Sequence, residues 1–253
     1  MVKPLCLALA LSITSAAMAS ESSVLAFRAQ KSIEAGKFAK GYGQLERALL
    51  ASRKESDLRS EGRILTSMAQ VRVMSLDLPL ADSLLAQVRK DILDNGSLTM
   101  YTKVKVASAN AAEKFSDAEK FCNQLSEDKL KKVDESLKAA FYSECAIAHA
   151  GARHGSDAQE SLKLVGKNSD KKGGFYAYTA ARISDLLGQS DADSLYQVAE
   201  EKSIQGNRTY MTANILWLRS QLKGAKNASD MKLRCKNAFE LMGLPNNSKR
   251  CGQ

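Results

Sequence analysis

The chain has 253 residues, of which 44% are hydrophobic and only 6% aromatic, and its formal net charge is +9. That length suffices for one good core and requires no second domain. Aromatic and basic residues do not interleave, which argues against nucleic acid as a partner, and two histidines with no Cys-x-x-Cys pair offer neither a thioredoxin-type redox site nor a metal-ligand spacing.

The N-terminus has the three parts of a secretory signal. Lys3 supplies positive charge, Leu5 to Ile13 is almost entirely apolar, and small residues lead to Ala17-Met18-Ala19. The apolar run is too short for a spanning helix, which needs about 20 residues. Cleavage after Ala19 would make residues 1–19 a signal peptide and remove one positive charge with Lys3. Cys6 precedes the apolar run and follows Lys-Pro-Leu, so it does not suit lipidation. No other segment is apolar enough to span, so the expected protein has no transmembrane span and is exported, periplasmic or extracellular.

Beyond the signal, Ala, Leu, Lys, Ser, Glu and Gln dominate and only Pro79 and Pro245 occur, a balance that favours helices over strands. A pattern of small residues recurs at Gly41, Ala81, Ala118, Ala158 and Ala192, in steps of 40, 37, 40 and 34 residues. Four residues after each stand Leu45, Leu85, Cys122, Leu162 and Tyr196, and seven after stand Ala48, Val88, Leu125, Val165 and Ala199. These positions form one helical stripe. Twelve residues before each lie Ala29, Ala69, Val106, Ala146 and Ala180, and sixteen before lie Leu25, Leu65, Thr102, Tyr142 and Tyr176. Two helices of a hairpin approach closely where both present small side chains, and larger neighbours fill the grooves beside them.

The segment Gly36-Lys37-Phe38 through Ala48-Leu49, together with these columns, resembles the tetratricopeptide repeat from Leu25 to about Ser203. Departures stand at Gly155 and Gln189, where the family has an aromatic, in the absence of its early tryptophan and inter-repeat proline, and in steps longer than 34 residues. The resemblance implies an all-α, right-handed superhelix, an α-solenoid of about six antiparallel hairpins over residues 20–243. A sixth, atypical hairpin is expected from Asn207 to Met242, with residues 244–253 as a C-terminal tail after Gly243 and Pro245. Loops are expected near Gly96 and from Gly166 to Gly174, and Ser116, Ser156 and Ser190 or Asp191 as N-caps.

With Cys6 removed, Cys122, Cys145, Cys235 and Cys251 remain, an even count that suits two disulfides in an oxidising compartment. Of the three pairings, Cys122–Cys145 and Cys235–Cys251 are favoured because both close local loops. Lysines concentrate at Lys129, Lys131 and Lys132 and again at Lys167, Lys171 and Lys172, which reads as solvated helix ends or, alternatively, as attraction to a polyanion.

No catalytic constellation emerges. His149 and His154 read as helix-surface histidines, and the adjacent pairs Glu127-Asp128 and Glu200-Glu201 read as solvated ends. No enzyme activity, metal or cofactor is therefore expected. The resemblance instead implies a groove lined by the first helix of each pair, with Gln30, Arg63, Thr66, Gln70, Lys103 and Asn110 as polar candidates for a protein or peptide partner. Ala107 stands where the family's carboxylate clamp has Asn. The expected function is an exported interaction scaffold of the cell envelope, with a binder of an anionic envelope polymer or glycan as the alternative and a hydrolase of envelope material as the third.

Overall fold

The computed structural model describes residues 20–253; the expected signal, residues 1–19, lies outside the described residues. Among the described residues the fold is all-α, with no strand. Consecutive helices pack as hairpins: α1 (Glu21–Glu34) with α2 (Phe38–Lys54), α3 (Leu58–Met74) with α4 (Leu78–Ala86), and α5 (Asn95–Ala111) with α6 (Phe115–Cys122). After the short α7 (Glu127–Leu130) come α8 (Glu135–Gly151) with α9 (Gly155–Asn168), α10 (Gly174–Leu187) with α11 (Ala192–Gln205), and α12 (Thr209–Ser220) with α13 (Ala228–Leu241). A last helix, α14 (Pro245–Cys251), packs on α13. The arrangement is a solenoid-like stack of six hairpins with two additions, α7 and α14.

The small-residue columns form the helix crossings. Ala29, Ala81, Ala118, Ala146 and Ala158 are fully buried, and Leu45, Leu65, Leu85, Val165 and Tyr196 fill the grooves beside them. At the first crossing a Cβ on Gly41 would lie 2.5 Å from Ile33 Cγ1 and 3.1 Å from the Ala29 carbonyl. Only glycine lets α1 and α2 approach this closely.

The turns of the first five hairpins use the same device. One residue adopts positive φ at Gly36, Leu76, Glu113, Arg153 and Gly188, and the following N–H closes back on the sixth residue along, as in His154 N–H to His149 O at 2.8 Å. This Schellman closure satisfies helix-end carbonyls and reverses the chain in three or four residues. Leu, Glu and Arg serve at three of these positions, so glycine does not mark the turns.

Several local expectations change. Gly96 lies inside α5, because Asp94 accepts from the Ser97 amide and caps that helix one residue earlier. Ser116 and Ser156 lie within helices that start at Phe115 and Gly155, whereas Asp191 does stand at the N-cap of α11. The Gly166–Gly174 loop shrinks to residues 169–173, and the tail after Gly243 is mostly α14. Glu200 is buried between Arg219 (2.6 Å) and Arg234 (3.0 Å) rather than solvated, and ties α11 to α12 and α13.

The stack closes on itself. Tyr210 at the start of α12 packs between Phe38 and Phe239, each with ring centroids 5.7 Å away, and its hydroxyl donates to the Met74 carbonyl at 2.9 Å. From α14, Asn247 donates to the same carbonyl at 3.1 Å and Asn246 to that of Ser75 at 3.2 Å. These contacts supply acceptors at the C-terminal end of α3 with donors. The last hairpin and α14 therefore share one hydrophobic core with the first two hairpins. The structure pairs Cys122 with Cys145 and Cys235 with Cys251, at Cα–Cα distances of 5.8 and 5.9 Å. Two disulfides suit an oxidising compartment, and among the described residues no helix is long and apolar enough to cross a membrane.

Candidate functional site

Closure leaves a cavity of about 390 Å³ lined by α3, α5, α8, α10, α12 and α14, a size within the range of ligand pockets. All but α14 are first helices of their hairpins, so the cavity is the concave face of the array. A polar chain runs around it. Asn110 on α5 donates to both the carbonyl (2.9 Å) and a carboxylate oxygen (3.0 Å) of Glu144 on α8. On the next helices Asn214 Nδ2 donates to Tyr178 Oη at 3.1 Å, and Arg250 donates to Asn214 Oδ1 at 2.9 Å. These bonded pairs stand 34, 36 and 36 residues apart, so the chain repeats nearly once per hairpin.

The charges in the cavity are unequally satisfied. Burial lowers the pKa of Lys103 and raises that of Glu144, and each partly offsets the other's shift. Arg182 pairs with Asp185 at 2.7 Å. Arg250 instead stacks over Trp217, 3.7 Å from the ring centroid, and no carboxylate pairs with it among the described residues. Its Nε is buried with no hydrogen-bond partner, and so is Asn110 Oδ1. Such groups cost roughly 1–3 kcal/mol each when left unsatisfied. One wall of the cavity thus holds a cation with an unused donor, and another holds an unused amide acceptor, between the apolar faces of Trp217, Phe175 and Met211.

The residues expected from sequence divide. Lys103, Asn110 and Gln70 line the cavity. Gln30 lies beside a second depression, near Gly36 and Tyr210, to which Gln70 also extends. Arg63 is exposed outside the cavity lining, bonded to Asp94 and to Ser97 Oγ. Thr66 is buried, with its hydroxyl donated to the Gly62 carbonyl one turn back (2.8 Å). Glu144, Tyr178, Arg182, Asn214, Trp217 and Arg250 were not among the sequence candidates. The near-periodic spacing of Asn110, Glu144, Tyr178, Asn214 and Arg250 was the available signal, but its steps of 34, 34, 36 and 36 residues do not follow the 40, 37, 40 and 34 of the crossing columns. Tested against known proteins, the chain matches no protein-family model and no curated protein sequence.

Proposed function

We propose that this is an exported interaction module, related in design to tetratricopeptide arrays, which takes an acidic or C-terminal segment of a partner protein into its central cavity. One observation carries the reading: Arg250, backed by Trp217 and Asn214, meets the cavity with a buried donor and, among the described residues, no counter-anion. A carboxylate would supply the missing partner, and a charge-assisted hydrogen bond is worth about 1.5–3 kcal/mol. Asn110 Oδ1 suits the N–H of a peptide backbone, and the aromatic and methionine side chains suit its apolar side chains. The cavity is small, so the bound segment is a few residues long, a chain end or a tight turn. The signal-like N-terminal sequence and the two disulfides support an oxidising, extracytoplasmic setting for this trade. The test compares short peptides with free and amidated C-termini, with and without acidic side chains, against the wild type and Arg250→Gln. The free or acidic peptides should bind, and the substitution should weaken them roughly tenfold to a hundredfold. Equal binding by both proteins, or preference for anionic polysaccharide over every peptide, would contradict the reading.

A further inference from the structure

Outside the cavity, both histidines of the chain converge on one carboxylate. His149 lies near the end of α8 and His154 at the N-cap of α9. Between them the positive-φ turn at Arg153 folds His154 back, with its N–H bonded to the His149 carbonyl. Glu119 reaches in from α6. Its Oε1 lies 2.8 Å from His149 Nδ1 and 2.6 Å from His154 Nδ1. One ligand atom from each of the three residues falls within 4.8 Å of the other two.

The scaffold around this group is held firmly. The Cys122–Cys145 disulfide joins α6 to α8 one turn from Glu119 on one side and one turn from His149 on the other. The Phe115 ring presses on Gly151, where an added Cβ would lie 2.2 Å from it, and this fixes the start of α6 against the end of α8. Of the cations adjacent in sequence to the three residues, Arg153 turns away and donates to the Leu186 carbonyl, and Lys120 pairs with Asp117 at 2.9 Å. The depression in front is bordered by Asp157 and Glu160, so its field favours a cation.

We propose that Glu119, His149 and His154 form a divalent-metal site that takes Zn²⁺ through two imidazole nitrogens and one carboxylate oxygen, with a further coordination position facing solvent. Two imidazoles and a carboxylate are a donor set that zinc uses in three-ligand sites. With metal–ligand bonds of about 2.0–2.2 Å, tetrahedral ligand atoms stand about 3.3 Å apart. The present contacts need open by less than about 1 Å, and His154, with 57% of its side chain exposed, is free to make that shift. Metal binding through Nδ1 needs each imidazole as its Nε2–H tautomer, so the proton that Glu119 accepts moves to Nε2 of a neutral ring or, from a protonated ring, leaves to solvent. The bound ion would join three helices of two successive hairpins.

The test uses the purified chain without a histidine tag, stripped by chelator and titrated with ZnCl₂ by calorimetry, with Co²⁺ absorption to report the ligand field. One equivalent should bind. His154→Gln, at an exposed position that the fold tolerates, and Glu119→Gln should each weaken binding at least about tenfold, since even outer-shell changes commonly cost that much. Helical circular dichroism checks that both variants are folded. No saturable binding by the wild type, or binding equally tight in folded His154→Gln, would overturn the proposal.

Discussion

Glu119 is the residue at which opposing effects are easiest to weigh. Burial alone would raise its pKa, but hydrogen bonds from His149 and His154 outweigh burial and lower it from the ordinary 4.5. The same hydrogen bond, with the attraction of the carboxylate, raises His154 above the ordinary 6.5. A depressed carboxyl stabilises the fold above its unfolded pKa and loses that contribution as pH falls through the folded value. A raised imidazole contributes below its unfolded pKa and loses it as pH rises through the folded value. Without metal, the difference in thermal midpoint between wild type and Glu119→Gln should therefore be largest between about pH 4.5 and 6.5 and shrink on either side. A difference that does not change with pH would show that Glu119 acts by packing alone. The two histidines are visible in the sequence, but no third ligand stands near them in it to complete a metal-binding spacing. What the sequence conceals is the left-handed turn at Arg153, because an arginine carries no sign of positive φ, and the carboxylate 30 residues upstream of His149 that the turn brings into reach.

Helices and their ends show a similar division. Small residues at Gly41, Ala81, Ala118 and Ala158 betray the crossings because close approach restricts side-chain size and the restriction recurs. The starts of the helices were harder to read. Asn95-Gly96 resembles a turn, yet the cap at Asp94 admits both residues to α5. The brief α7 and α14 are too short to show a period. Glu200 illustrates the cost of judging a charge by its sequence neighbour. Side by side with Glu201 it reads as solvent-facing, but its place on α11 puts it 8% exposed between two arginines from α12 and α13. Glu200→Ala would strip the buried Arg219 of one partner and leave it Asp193 at 3.0 Å. Denaturant unfolding should reveal a loss of about 2–4 kcal/mol, somewhat below the usual figure for a broken buried pair because Asp193 remains. A loss under about 0.5 kcal/mol, typical of a surface change, would mean that the network contributes only geometry.

At the scale of the whole molecule, the decisive contacts join the two ends of the array. Tyr210 and the Met74 carbonyl are separated by 136 residues, Asn247 and the same carbonyl by 173. The repeat columns do not encode such contacts, which is why the sequence suggests a groove along the array where the structure has a pocket bounded by both of its ends. The Cys235–Cys251 disulfide holds α14 in place, and α14 carries Arg250 to the only tryptophan, Trp217. Replacing both cysteines by serine should cost about 3 kcal/mol by the loop-entropy estimate and should shift Trp217 emission to the red as Arg250 leaves the ring. Unchanged emission and stability would indicate that Asn246, Asn247 and the shared core hold α14 without the crosslink.

The central claim, that the central cavity is the binding surface, is tested most directly by photocrosslinking from inside and outside the array. A benzophenone side chain at Met211, within the cavity, is compared with one at Leu241, which is 90% exposed on the exterior. In an extract of the native cells and their medium, the cavity position should give one predominant protein adduct, lost when Arg250→Gln is added. Adducts formed only from Leu241, or formed from Met211 whether or not Arg250 is present, would place the partner elsewhere.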